Sequence, residues 1–220
     1  MNVRGIFLLL LLVVGAEQGI GQNKIKAFKT LTPPEKRWVL THFLVAGKAY
    51  KISREAQWVA DSLINDTILD GDNNGGQVDA FRHAYWMARL TQEIGWRRAK
   101  SLGKAHEKGN YWQYKKMKKE EGQVPDKQSS EMDFLNNDIG IEIGLENKAV
   151  SKDSLKSIVI DYIINGELWI LYKDAKGRYI DCKGNVIPDS LLNDWETPKC
   201  LVPSNKKRGA QACSPQEISE

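Results

Sequence analysis

The chain lacks any apolar run long enough to cross a bilayer. Its longest, Ile6 to Val14, is about ten residues, against the roughly 20 that a membrane helix needs. The run is preceded by Arg4 and followed by the small residues Gly19 and Gly21. A charge, a short hydrophobic stretch and a small-x-small site read as a cleavable secretory signal over residues 1–21. The mature chain, beginning at Gln22, is expected to be exported, periplasmic or secreted, and to have no membrane span.

Cysteine is scarce. The three, Cys182, Cys200 and Cys213, all lie near the C-terminus. They have no CxxC spacing and no neighbouring His, which argues against a zinc ribbon. Export permits a disulfide, and Cys182 with Cys200 would close a loop with little core of its own. Cys213 would be left over in a polar tail, and spacing alone does not fix the connectivity. An excess of one charge is also missing: 32 Lys and Arg face 28 Asp and Glu, a net of +4. The Lys-rich run from Lys115 to Lys119 is followed at once by Glu120 and Glu121, the pattern of a solvated helix face. Nucleic-acid binding is therefore not indicated.

What the sequence does have is tryptophan, seven in all and spread through the mature region, which favours a packed globule over a disordered tail. Thr32-Pro33-Pro34-Glu35 is a helix start, with a cap, prolines in the first turn and an acid against the helix dipole. Helical spacing of Trp38, Val39, Phe43, Leu44 and Ala46 runs on through Ala56, Val59, Ala60 and Leu63. Asp70-Gly71-Asp72-Asn73-Asn74-Gly75-Gly76 then forces a loop. Helices are expected from Gln77 to Glu93, from Trp96 to about His106, from about Ser129, and from Asp153 to the Asn165-Gly166 stop. Lys108 to Ser130 is polar and without period, an excursion between helices. Within it, Tyr111-Trp112-Gln113-Tyr114 would either cover a pocket or dock the excursion onto the core. Leu168–Tyr172 and Arg178–Cys182 read as strands joined by a turn at Gly177. The fold expected is mainly α, a multi-helix bundle over residues 22–166, with a small C-terminal β-hairpin appendage and Cys-containing tail over residues 167–220.

Three short segments carry residues able to do chemistry. In Asp79-Ala80-Phe81-Arg82-His83-Ala84-Tyr85-Trp86, Asp79 and His83 are four apart and share a helix face. A carboxylate so placed fixes the imidazole tautomer, as a general base or a metal ligand requires. In Ala105-His106-Glu107 the two polar side chains point about 100° apart, and His106 follows the apolar positions Ala99 and Leu102, so it is favoured to face the cluster. Glu107 would reach Arg82 or face water. In the third segment Asp133, Asn137, Gly140 and Gly144 form one helical stripe. Glycine inside a helix costs about 1 kcal/mol relative to alanine, so two in one stripe point to close approach of a neighbouring backbone.

The motifs DAFRHAYW, AHE and MDFLNNDIGIEIG, in that order, resemble a bacterial family filed as domain of unknown function 6973, over roughly Asn74 to Gly144. The resemblance implies a helical domain whose shared residues here are Asp79, Arg82, His83, His106, Glu107, Asp133, Asn136, Asn137 and Gly140. No activity comes with it.

Two functions fit these residues. One is a hydrolase, metal-assisted, with His83, Asp79, His106, Asp133 and Asn137 catalytic and Arg82, Glu107 and Asn136 binding. A zinc or harder divalent cation such as calcium would sit on His83, His106 and Asp133. There is no HExxH pattern, and no Ser or Cys nucleophile accompanies the His. The other is a secreted binding or scaffold domain in which the same side chains satisfy one another and fix the helix packing. A pocket reaching His83 discriminates between them. Asp70, Asp72, Asn74 and Gly75 also match the start of an EF-hand loop, but its twelfth position is Phe81, where a bidentate acid is required. His42 reads as a packing or surface residue.

Overall fold

The computed structural model describes residues 25–117 and 124–208. The expected signal at residues 1–21 and Cys213 lie outside them. After a helical segment at residues 25–30 come α1 (Pro33–Thr41), α2 (Phe43–Leu63), α3 (Gln77–Ile94), α4 (Trp96–Lys115), α5 (Lys127–Glu146) and α6 (Lys152–Asn165). Strands β1 (Trp169–Leu171) and β2 (Leu201–Pro203) follow, with a turn of 3-10 helix, Asp189–Leu191, between them. The chain is thus a helical bundle with a small antiparallel sheet. Among the described residues no helix is long and apolar enough to cross a membrane.

Helix α3 is the axis of the fold. It packs against α2, α4, α5, α6 and β1, and Phe81, Ala84, Tyr85, Met87, Ala88 and Leu90 on it are almost completely buried. A helix buried all round is usually apolar all round. This one carries Asp79, His83 and Arg89 into the interior, so each needs a partner there.

Local chemistry explains the helix ends. Thr32 caps α1, and Glu35 reaches back to accept from its backbone N–H at 2.8 Å and its hydroxyl at 2.6 Å. Asp126 caps α5 by accepting from the Ser129 N–H, and Gly166 closes α6 in the left-handed conformation. The apolar pattern that runs on past Leu44 is broken at His42. There the ring stacks on Trp38 at 4.6 Å, with Nδ1 3.1 Å from the Trp38 carbonyl, which also accepts the His42 N–H at 2.9 Å as the last bond of α1.

Helix α4 runs to Lys115, beyond its expected end near His106, and α5 begins at Lys127. Tertiary contacts explain the longer α4. Gly109 leaves room for Thr32, whose Oγ would lie 2.5 Å from an added Cβ. Tyr111 and Tyr114 pack on Trp195 with ring centres 4.8 and 5.1 Å away, so the aromatic run docks.

The expected turn at Gly177 is present, with Lys173 bridged to Tyr179. The regular strand pairing is longer-ranged: Ile170 lies opposite Val202. Cys182 and Cys200 form the disulfide, their Cα atoms 4.8 Å apart. Lys199 and Asp126, both almost fully buried, pair at 2.6 Å and tie this region to the start of α5. Burial holds the Lys199 ammonium below its ordinary value, against the pull of Asp126.

Candidate functional site

Three segments distant in sequence meet where α3 faces α4 and α5. Two glycines allow it. A Cβ on Gly140 would lie 2.3 Å from the Ala84 carbonyl oxygen, and one on Gly144 2.6 Å from that of Ala88. The helices therefore touch backbone to backbone, as the glycine stripe predicts, and α5 delivers Asp133 and Asn137 onto the His83 face of α3.

Asp79 sits in the first turn of α3. Its Oδ2 accepts from the Gly75 N–H at 2.6 Å, and its Oδ1 from Arg82 at 2.5 Å. His83 is 2% exposed, with Nε2 3.3 Å from Asp133 Oδ1 and 3.6 Å from Asp79 Oδ1. On its other side Nδ1 lies 3.3 Å from Asn137 Oδ1. An amide oxygen lies on the Nδ1 side and two carboxylates on the Nε2 side, so a His83 that binds a cation through Nε2 would carry its ring proton on Nδ1 and donate it to Asn137. Burial, then the charges of Arg82 and His106, hold the imidazole well below its ordinary 6.5, so it is neutral, as a ligand must be. One ligand atom from each of Asp79, His83 and Asp133 falls within 4.8 Å of the others.

His106 stands outside this group, so Asp79 takes the place expected for it. Its Nδ1 is 3.1 Å from Glu35 Oε1, and its ring centre is 6.1 Å from that of His83. Burial alone would raise the Glu35 carboxyl. The hydrogen bond and charge of His106, with both groups of Thr32, outweigh it and hold Glu35 below its usual value. An ionised carboxylate can only accept, so His106 donates from Nδ1 to Glu35.

Two cavities share a wall made of Arg82, His83 and His106. One, of about 500 Å³, opens between residues 27–31, α1, α2 and α3. The other, a polar crevice of about 50 Å³, is lined also by Asp79, Asp133, Asn110 and Ser129. A pocket does reach His83.

One expected residue is turned elsewhere. Asn136 is fully buried and exchanges hydrogen bonds at 2.9 Å in both directions with the backbone of Trp169, so it anchors β1. Glu107 is buried rather than facing water, and accepts from Asn110 at 3.0 Å. The EF-hand-like oxygens are turned to protein cations: Lys173 Nζ lies 2.6 Å from both Asp72 Oδ2 and the Asn74 carbonyl, and Arg208 reaches the same Asp72 oxygen at 2.6 Å. Sequence reasoning assigned Glu35 only to the helix dipole. No local signal pairs it with a histidine 71 residues away.

The family described as Domain of unknown function (DUF6973) matches residues 36–167, more than half of the 220 residues. The chain belongs to that family. The matched span includes the Asp79, His83 and Asp133 group and the His106 imidazole, but not Glu35 or the strands. No curated protein matches the chain. No solved structure matches it either.

Proposed function

We propose that this chain is an exported hydrolase that uses a divalent cation held by Asp79, His83 and Asp133. The observation that carries the reading is the grouping of one ligand atom each from Asp79, His83 and Asp133 within 4.8 Å of one another. Two carboxylates and an imidazole suit zinc or a similar first-row ion. Such a cation polarises a substrate oxygen and acidifies a bound water.

The chain's own side chains supply the rest. Asn137 fixes the His83 ring through Nδ1. Arg82 and the Gly75 N–H orient Asp79. His106, held by Glu35 and lining the polar crevice, would in its neutral form take the proton from the attacking water. The Cys182–Cys200 bridge supports the exported part of the reading, since disulfides persist in oxidising compartments.

A second reading has one observation in its favour: the Asp79 carboxylate already accepts from Arg82 and Gly75. That is how a closed structural network in a binding or scaffold domain would look. Elemental analysis of protein purified in zinc-containing buffer, with Asp133→Asn beside it, separates the two. The hydrolase reading expects equimolar metal in the wild type, its loss in a still-folded Asp133→Asn, and hydrolysis of a fluorogenic ester that chelation abolishes and zinc restores. Metal-free wild type, together with a collapse of melting temperature in His83→Ala, would establish the network instead.

A further inference from the structure

Helix α2 has a glycine that its packing does not explain. Gly103, Gly109, Gly140 and Gly144 each have a neighbouring atom within 3.3 Å of where a Cβ would stand. At Gly47, an exposed position in the second turn of α2, nothing among the described residues lies within 4 Å. A glycine inside a helix costs roughly 0.5–1 kcal/mol relative to alanine, and here no close helix approach offsets it. What Gly47 does is line the large cavity.

The cavity is two-faced. Phe28, Leu31, Val39 and Ala49 contribute apolar wall, together with the indole rings of Trp38 and Trp86. Both indole N–H groups are already used, Trp38 on Ser101 at 2.7 Å and Trp86 on Ser53 at 2.9 Å, so the rings offer the cavity carbon rather than donors. The lining turns polar at Glu35, Arg82, His83 and His106, the last three shared with the polar crevice, and again at Tyr50, Ser53, Arg54 and Gln57. A volume of about 500 Å³ is within the range that buries a small organic ligand.

We propose that this cavity binds a fatty-acyl chain, with its polar head directed to Arg82 and His106 and its tail running past Gly47. An acyl group matches the features together: a mostly apolar wall in which both indole N–H groups are used, and a carboxylate or ester head against a guanidinium and an imidazole. This deepens the hydrolase reading and rests on it for the substrate class, placing an acyl carbonyl at the wall that the cavity shares with the proposed cation group.

Displacement of anilinonaphthalene sulfonate fluorescence by palmitate, with excess chelator present, tests binding apart from metal chemistry. Wild type is expected to bind palmitate. Gly47→Leu places a side chain into open space on a helix that favours leucine over glycine, so its melting temperature should hold or rise. Its palmitate affinity should fall roughly tenfold, the effect of excluding a couple of methylenes from the cavity. Ala46→Leu, on the same wall, should act alike. Absence of displacement in the wild type, or equal affinity in wild type and both cavity variants, overturns the proposal. Neither result touches the metal measurement, so the two readings fail separately.

Discussion

Gly140 lies directly against the carbonyl of Ala84, with no room for a methyl group: an added Cβ would stand 2.3 Å from that oxygen and 2.7 Å from the Ala84 Cα. Backbone cannot yield as a flexible side chain can, and overpacking of this kind costs typically 1–3 kcal/mol. Gly140→Ala should therefore lower the melting temperature by about 2–4 °C for each kcal/mol lost, measured by calorimetry. Since α5 also carries Asp133 and Asn137, zinc affinity should fall with it. An unchanged melting temperature would show that the helices are further apart than described.

Asn137 tests the tautomer. Replacing it with leucine removes the acceptor for His83 Nδ1, and loss of such outer partners typically costs 10–100-fold in metal affinity. Zinc titration calorimetry should show a fall of that order in Asn137→Leu while Asp133→Asn abolishes binding. Equal zinc affinity in Asn137→Leu and wild type would mean that the ring is oriented by other groups.

These two expectations rest on features that were legible in the chain to different degrees. The Thr32 to Glu35 start, the Gly166 stop and the Asp79, His83 and Gly140 spacings are local, written in helical periodicity, and the structure has them. The pairing of Glu35 with His106, the anchoring of Trp169 by Asn136 and the Ile170 to Val202 register join segments with no shared period. Nothing in the sequence near either partner signals them. The extension of α4 to Lys115 was hidden for a related reason, since its polar stretch is held by Thr32 and Trp195 from elsewhere in the fold. The expected signal at residues 1–21 remains a reading of sequence alone.

Acid should weaken the fold partly through Glu55. Burial alone would raise its carboxyl, but Lys152 and Arg89, both hydrogen-bonded to it, hold it below the ordinary 4.5. Between the folded and unfolded values the unfolded chain binds more protons. The stabilisation is therefore present above about pH 4.5 and lost as pH falls through the folded value. Melting temperature plotted against pH should drop less steeply on that acid side in Glu55→Gln than in wild type. Parallel curves would assign the acid sensitivity to other carboxylates.

The Cys182–Cys200 bridge spans a separation of 18 residues, and a loop near that length contributes roughly 3 kcal/mol by restricting the unfolded chain. Reduction with dithiothreitol, or the double change Cys182→Ser and Cys200→Ser, should lower the melting temperature by roughly 6–12 °C. Identical melting with and without reductant would indicate free thiols in solution.

The loop that feeds α3 is fastened from the far end of the chain. Lys173 grips Asp72 and the Asn74 carbonyl, and the Leu171 N–H donates to the Gly75 carbonyl at 2.7 Å. Gly75 in turn holds Asp79 through its own N–H. A recombinant fragment trimmed to the family match, ending at residue 167, would cut this clasp. Asp72 would lose its counter-charge, the loop would swing toward water, and the helices would survive as a shell whose reactive carboxylate had lost its seating.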